Sequence, residues 1–115
     1  MWRDEAYLLD MLLAGREIRE FTQGKTFEEF LHDEVLQHAV MHLIEKIGRA
    51  AEKVSSEFKA SHPEIAWDEV AAQPHRLAPE RFRIIPQKVW EAVRDGIPPL
   101  IARLEPLVPP EKGGS

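Results

Sequence analysis

The hydrophobic positions in the first part of the chain repeat at helical spacing. Over residues 4–23 apolar side chains recur every three or four positions, which predicts a helix with Asp4 as its N-cap and Gly24 as its stop. Thr26 and Glu29 have the spacing of a capping box, which predicts a short helical connector after this helix. Two aromatic residues of the connector are expected to pack back on the first helix: Phe27 and Phe30.

The strongest periodic signal covers residues 33–60, where apolar positions alternate in steps of three and four without a break. This pattern predicts one long amphipathic helix. It should end near Ser61, because Pro63 lacks a backbone donor and disfavours helical geometry at the residue before it. Apolar residues around Trp67 then predict a short helix.

Prolines interrupt the last third of the chain. Pro74 and Pro79 break the pattern over residues 73–83, and an interior proline costs a helix about 3 kcal/mol, so this stretch is predicted to be irregular. Pro86 suits the first turn of a new helix. Two later prolines predict a kink or a restart within that helix: Pro98 and Pro99.

These elements predict a single all-α domain, a helical bundle around one long central helix. The predicted domain covers residues 1–105, and residues 106–115 form a flexible tail rich in proline and glycine. A chain of 115 residues has room for one modest core.

Composition narrows the classes of function. The formal charge of -5 gives no overall attraction to nucleic acid or to an anionic membrane, so RNA would need a local basic patch. The chain has no cysteine, which excludes disulfides and thiolate metal sites and makes the cytoplasm the expected compartment. No signal peptide is apparent, and no apolar run approaches the roughly 20 residues that span a bilayer. No membrane association is expected.

His38 and His42 lie one helical turn apart on the long helix, with Glu34 and Glu45 at matching spacing. Four such side chains on one face resemble a set of metal ligands. However, this face points about 200° away from the apolar stripe, and no metalloprotease motif accompanies it. The preferred interpretation is a solvated or interface surface, and no metal or cofactor is predicted.

A basic cluster surrounds the predicted irregular segment. His75, Arg76, Arg81 and Arg83 are suited to bind phosphate, although a solvated loop has the same composition. The sequence shows no glycine-rich phosphate loop, nucleophile elbow or basic stripe interleaved with aromatic residues. From spacing and composition alone, no active site is identified.

Most of the chain resembles the HepT-like branch of the HEPN superfamily, small prokaryotic helical proteins that pair with a minimal nucleotidyltransferase. The matching segments occur in the family's order: Arg3-Asp4, Tyr7-Leu8-Leu9-Asp10, residues 27–37, Glu45-Lys46-Ile47-Gly48, Pro63-Glu64-Ile65-Ala66-Trp67, Val89-Trp90-Glu91 and Ile97-Pro98-Pro99-Leu100. The resemblance implies a HEPN-type antiparallel helical bundle, a homodimer, and a toxin of a type VII-like toxin–antitoxin system whose antitoxin is an MntA-like nucleotidyltransferase.

Active relatives carry a ribonuclease motif of an arginine, four to six residues and a histidine, often with a tyrosine two positions later. Counted from Trp67, these positions fall on Pro74, Pro79 and Arg81. Metal-independent RNA cleavage needs a proton carrier near neutral pH and a cation for the developing negative charge, and proline supplies neither. No other arginine in the chain is followed by a histidine at this spacing.

Three further departures from the resemblance affect the same surface. His42 stands where many relatives have arginine, and Arg49 stands where they tend to have an acidic residue. In some relatives the partner nucleotidyltransferase modifies a tyrosine with AMP, and at that position this chain has Arg81. The only tyrosine of the chain is Tyr7, which is predicted to lie near the core.

The sequence therefore leads to three hypotheses. The first is a HepT-like protein that keeps its fold, its homodimer and its nucleotidyltransferase partner but has lost most or all ribonuclease activity. The second is an active endoribonuclease, with RNA as substrate, that uses His75 with Arg76 or Arg81, and with Arg83 as a further candidate. The third is a dimerisation or interaction module with no toxin role.

Overall fold

The fold is described from a computed structural model, which covers residues 2–80 and 83–108, apart from the side chain of residue 2. The chain is all-α over these residues, with a single isolated bridge between Glu80 and Arg83. The helices are α1 (Trp2–Thr22), α2 (Phe27–Leu31), α3 (Glu34–Lys53), α4 (Ser56–Ser61), α5 (Trp67–Leu77), α6 (Pro86–Glu91) and α7 (Ile97–Leu104). A π-helical turn, Ala92–Gly96, joins α6 to α7, and a 3-10 turn, Glu105–Leu107, follows α7.

Helix α3 lies at the centre of the bundle, between α1 and α5. Tyr7 near the start of α1 lies beside Lys53 at the end of α3, so these two helices are antiparallel. The core is formed by apolar side chains from every long helix, and nine of the largest are almost completely buried: Leu8, Met11, Ile18, Phe30, Val40, Ile44, Ile47, Val89 and Leu104. The predicted bundle is confirmed, although α1, with 21 residues, is as long as the 20-residue α3.

The start of α1 differs from the prediction. Asp4 is not an N-cap, because the helix begins before it, at Trp2. The Asp4 carboxylate is buried and accepts hydrogen bonds from the Ser55 backbone N–H at 2.8 Å and the Ser55 hydroxyl at 2.7 Å. Burial raises the pKa of Asp4, but the two hydrogen bonds from Ser55, together with the positive charge of the N-terminus, outweigh burial and hold the pKa below its usual value. The end of α1 is as predicted, with Gly24 at a φ of 77° just beyond it.

The predicted single helix over residues 33–60 is wrong, because the chain turns at Val54 and Ser55. Val54 has extended backbone angles, and Ser55 caps a new short helix, α4, by accepting a hydrogen bond from the Phe58 N–H. The apolar spacing continues across the break, which is why periodicity alone joined the two helices. The Asp4 carboxylate of α1 also holds this turn, by accepting a hydrogen bond from the Ser55 N–H. Helix α4 ends at Ser61, which agrees with the end predicted from Pro63.

The predicted irregular stretch over residues 73–83 is also partly wrong, since α5 continues through Pro74 to Leu77. The ring of Pro74 packs where Gly48 of α3 has no side chain: a Cβ atom built on Gly48 would lie 3.1 Å from Pro74 Cγ and 3.3 Å from the Ala71 carbonyl oxygen. Close packing of α5 on α3 therefore offsets the missing backbone donor of Pro74. Only the part beyond Leu77 leaves the helix.

The connectors follow the predictions in part. Thr26 and Glu29 form the predicted capping box. Phe27 and Phe30 pack against Trp90 of α6, with ring centroids 6.3 Å and 5.1 Å from the tryptophan ring. Phe30 is also fully buried in the core to which α1 contributes, and the packing of these two rings on the first helix stays a prediction. The π-helical turn ends at Gly96 and α7 begins at Ile97, with Pro98 and Pro99 in its first turn, so the helix restarts at the predicted place.

Of the predicted tail, 106–115, residues 109–115 lie outside the described part of the chain. Leu107 and Val108 pack against the core at the end of the 3-10 turn. No helix in the described ranges is both long enough and apolar enough to cross a membrane.

Candidate functional site

A groove of about 440 Å³ lies between α3 and α5, next to the positions of the expected ribonuclease motif. We call it the histidine groove, because three of the five histidines of the chain line it. Its lining residues are His38, Met41, His42, Glu45, Pro74, His75, Ala78 and Ile84. The three imidazoles are exposed, so they are accessible to a ligand that enters from solvent.

The histidine groove forms because α3 and α5 each turn one polar edge toward it. His38 and His42 are one turn apart on α3, and their predicted position on the solvent-facing side is confirmed. His75 comes from the last turn of α5, which is helical only because α5 continues through Pro74. Within the described ranges no three histidine or acidic side chains are placed to hold one metal ion.

The expected motif positions are distributed around this groove. Pro74 is half-buried and lines the groove, whereas Pro79 is exposed beyond the end of α5 and is not a lining residue. Arg81 lies outside the described residues. At position 74 the groove therefore presents a proline ring, which can neither donate a hydrogen bond nor carry a charge.

His75, Arg76 and Arg83, the alternative basic residues that the structure describes, are not brought together. His75 lines the histidine groove, but Arg76 lines a different cleft of about 190 Å³ between α5 and α7, together with Arg103. Adjacent residues on a helix point about 100° apart, which explains the separation. Arg83 is exposed, and its guanidinium Nη1 lies 3.9 Å from an Oε2 of Glu80. The predicted pair of His75 and Arg76 does not share one groove.

A second groove, of about 300 Å³, lies between α1 and α3, and it was not predicted from the sequence. We call it the basic groove; it is lined by Tyr7, Asp10, His42, Lys46, Arg49, Ala50 and Lys53. The signal was present as cations at positions 46, 49 and 53, which share one face of a helix. It was missed because acidic residues are interspersed in the sequence and because the aromatic member, Tyr7, comes from another helix.

Tyr7 lines the basic groove and is half-buried, packed against the core, which agrees with its predicted position near the core. The Lys53 ammonium lies over its ring, 5.9 Å from the centroid, at a distance typical of a cation–π contact. Lys46 and Arg49 make no hydrogen bond or ion pair through their side chains to any other described residue. His42 lines both grooves, so the two adjoin at this residue of α3.

The family model for ribonuclease HepT-like proteins matches residues 11–107. A protein described as a probable ribonuclease HepT, from Thermococcus cleftensis, is 38% identical over 88% of this chain and 92% of its own length. A candidate RNase from Methanocaldococcus jannaschii is 31% identical over 90% of this chain and 85% of its own.

A candidate RNase from the bacterium Caldanaerobacter subterraneus is 30% identical over 92% of this chain and 95% of its own length. No solved structure matches the chain significantly.

Proposed function

The chain belongs to the ribonuclease HepT-like family, and from this premise we propose that it is the HepT-like member of a type VII-like toxin–antitoxin pair whose RNA cleavage is lost or greatly weakened. Its partner in this proposal is a minimal, MntA-like nucleotidyltransferase, and it acts in the cytoplasm as a homodimer. The protein then acts by binding and not by catalysis.

The observation that carries this proposal is Pro74 on the wall of the histidine groove. The family resemblance places the cation of the ribonuclease motif at this position and the histidine at Pro79. Loss of the cation removes electrostatic stabilisation of the pentavalent phosphorus transition state, and loss of the histidine removes the proton carrier. When catalytic residues act as a unit, the loss of one of them lowers the rate about as much as the loss of all of them.

RNA cleavage by the purified protein tests the proposal, with a Pro74→Arg, Pro79→His double variant measured beside it in the presence of a metal chelator. We expect cleavage by the double variant and little or none by the natural protein, with a difference of at least about a hundredfold, typical of a general acid–base group. Mass spectrometry of the products should show a 2′,3′-cyclic phosphate or its hydrolysis product.

The matched control is Pro74→Arg, Pro79→Ala, which changes both prolines but supplies no histidine at position 79. It should remain as inactive as the natural protein. Cleavage by the natural protein at the rate of the double variant would contradict the proposal, and a circular dichroism spectrum of each variant shows that it is folded.

The nucleotidyltransferase partner is tested by co-expression with the neighbouring gene, where one is encoded. The proposal expects the two proteins to elute as one complex, and separate elution at micromolar concentration would oppose it. Because no tyrosine stands at position 81, attachment of AMP at this position is not expected, and intact-mass measurement after incubation with ATP and Mg²⁺ checks this.

A second candidate function is an active metal-independent endoribonuclease. The observation in its favour is that His75 shares the histidine groove with His38 and His42, so that three imidazoles are available, and general acid–base catalysis needs two of them at most. The separation of Arg76 from this groove opposes it. Growth arrest on expression that disappears in His75→Ala would favour this candidate.

A third function, a plain dimerisation module, would cause no growth arrest, and its gene would have no nucleotidyltransferase gene beside it.

A further inference from the structure

We propose that the basic groove and the histidine groove together form one track that binds the phosphate backbone of a single strand of RNA along α3. The inference rests on the proposed function in one respect: RNA is taken as the anionic polymer because the matched relatives are described as ribonucleases. The track itself is argued from the positions and charges of the side chains.

The two grooves are joined at His42, which lines both. From His38 to Lys53 the track follows α3 for 15 residues, or about 22 Å at 1.5 Å per residue. A concave path of this length contacts several successive phosphates of an extended strand. A small anion would fill only a part of it.

The charges of the basic groove favour an anion. Three cations, Lys46, Arg49 and Lys53, face one carboxylate, Asp10, so the groove is positive although the whole chain is negative. Tyr7 holds the Lys53 ammonium at the end of the groove. Because Lys46 and Arg49 have no ion-pair or hydrogen-bond partner for their side chains in the described ranges, binding an anion does not require an existing contact to be broken.

The composition of the basic groove, which supplies the cations of the track, favours nucleic acid over an acidic protein surface. The histidine groove adds imidazoles beside one carboxylate, Glu45, and four apolar residues, so the cations of the basic groove carry this argument. Lysine is depleted at the core of protein–protein interfaces, where aromatic and apolar side chains dominate. The apolar lining of the basic groove is limited to Ala50 and the half-buried ring of Tyr7. Cations along a concave path are the arrangement that follows a single-stranded backbone.

Arg49 distinguishes the basic groove of this chain from the same surface in the relatives. The family resemblance places an acidic residue here, directly after Gly48, so the positive charge is a reversal. An additional cation slows the dissociation of bound RNA. Slow dissociation would hinder product release in an active ribonuclease, but it does not hinder a protein that binds RNA without cutting it. Arg49→Glu therefore restores the acidic residue of the relatives at position 49, while His42 still stands where many of them have arginine.

Fluorescence anisotropy with a labelled 2′-O-methyl RNA strand tests the track, because the blocked 2′-hydroxyl prevents cleavage even by an active protein. We expect Lys46→Gln, Arg49→Gln to bind about tenfold more weakly than the natural protein at low salt. The slope of log K against log salt should fall by about 1.4, corresponding to two lost phosphate contacts at 0.7 each. Arg49→Glu should weaken binding at least as much.

The matched control is Arg19→Gln, Lys25→Gln, which removes two exposed cations near the other end of α1. It should leave the affinity within about twofold, since overall charge contributes little when no contact is lost. Equal weakening by the two double variants, or no binding by the natural protein, would overturn the track. Thermal unfolding of all variants verifies that these exposed substitutions leave the fold intact.

Failure of the track is separable from failure of the proposed function. If the proline double variant cleaves RNA but the Lys46→Gln, Arg49→Gln pair binds the strand normally, the silenced-ribonuclease proposal stands and the track is wrong. If that pair binds RNA normally but no longer co-purifies with the nucleotidyltransferase, the surface is a protein interface, and the RNA track is likewise wrong.

Discussion

The two most extensive contacts of helix α3, with α1 and with α5, are of different kinds. On the α1 side, large apolar side chains fill the space, and the Asp4–Ser55 hydrogen bonds fix the end of the contact. On the α5 side, the backbones come close, because Gly48 presents no side chain to the Pro74 ring. The first contact depends on the volume of side chains, and the second on the absence of one.

This difference matters because the two contacts support different surfaces. The α1 contact forms the floor of the basic groove, whereas the α5 contact sets the position of His75 on the histidine groove. Side-chain packing adjusts to small changes in volume, but a close approach of backbones leaves no space for adjustment. The histidine groove should therefore be the more sensitive of the two to substitution beneath it.

The largest effect is expected from Gly48→Val. Its Cβ atom would lie 3.1 Å from Pro74 Cγ and 3.3 Å from the Ala71 carbonyl oxygen, and the two methyl groups of valine add further overlap. We expect a loss of about 3 kcal/mol in the free energy of unfolding, at the upper end of the cost of overpacking. Urea denaturation followed by circular dichroism measures it.

Gly96→Ala is the control for the glycine substitution. A Cβ atom there meets only Gln73 Nε2, at 3.9 Å, and the backbone of Gly96 is right-handed helical. Stability should stay the same or rise by about 0.5–1 kcal/mol, from the better helix propensity of alanine. If Gly48→Val and Gly96→Ala were equally stable, α5 would not depend on close approach to α3.

An intermediate effect is expected from Asp4→Ala, at about 2 kcal/mol, because a charged acceptor of two hydrogen bonds is removed from Ser55. The pKa of Asp4 is lowered in the folded protein, so its contribution is complete above the unfolded value of about 4 and disappears as pH falls through the folded pKa. The difference between the two proteins should be constant near pH 7 and shrink below pH 4.

Guanidinium denaturation at a series of pH values checks this prediction. Ser55→Ala removes the hydroxyl that donates to Asp4 and caps α4, while the backbone N–H of residue 55 can still donate to Asp4. Its loss should therefore depend less on pH than the loss in Asp4→Ala, because the cap of α4 does not titrate. A loss in Asp4→Ala that persisted unchanged at pH 3 would show that the carboxylate charge does not stabilise this contact.

The smallest effect is expected from Thr26→Ala, which lies outside both contacts of α3. The substitution removes the hydroxyl that accepts a hydrogen bond from the Glu29 N–H and so dissolves the capping box of α2. A loss of about 1 kcal/mol is typical of an N-cap, and thermal unfolding is sufficient to detect it. A loss larger than that of Asp4→Ala would mean that α2 supports more of the bundle than its five residues suggest.

The elements that the sequence predicts well are those in which neighbouring residues decide the outcome. The α1 stop at Gly24, the capping box at Thr26 and the helix start at Pro86 depend on local backbone chemistry, and all three are confirmed. The break at Ser55 and the continuation of α5 through Pro74 depend on partners distant in sequence, Asp4 and Gly48. The residues adjacent to Ser55 and Pro74 in the sequence do not show which distant residues contact them.

The same division applies to the candidate site. The solvent-facing position of His38 and His42 follows from helical spacing, and it is confirmed. The basic groove needs Tyr7 from one helix and Lys53 from another, so it becomes visible only when α1 is placed against α3. The expected cluster of His75 with Arg76 failed for the converse reason, because residues adjacent in sequence on a helix point to different sides.

The π-helical turn Ala92–Gly96 has a consequence for comparing this chain with its relatives. Buried residues before, within and after it recur every four positions at Val89, Val93, Ile97 and Ile101, more slowly than the 3.6-residue turn of an α-helix. A wider turn accommodates this spacing and is equivalent to one inserted residue in an α-helix. Relatives lacking that residue should align with a single-position gap here, and numbering carried across the gap would shift every position of α7 by one.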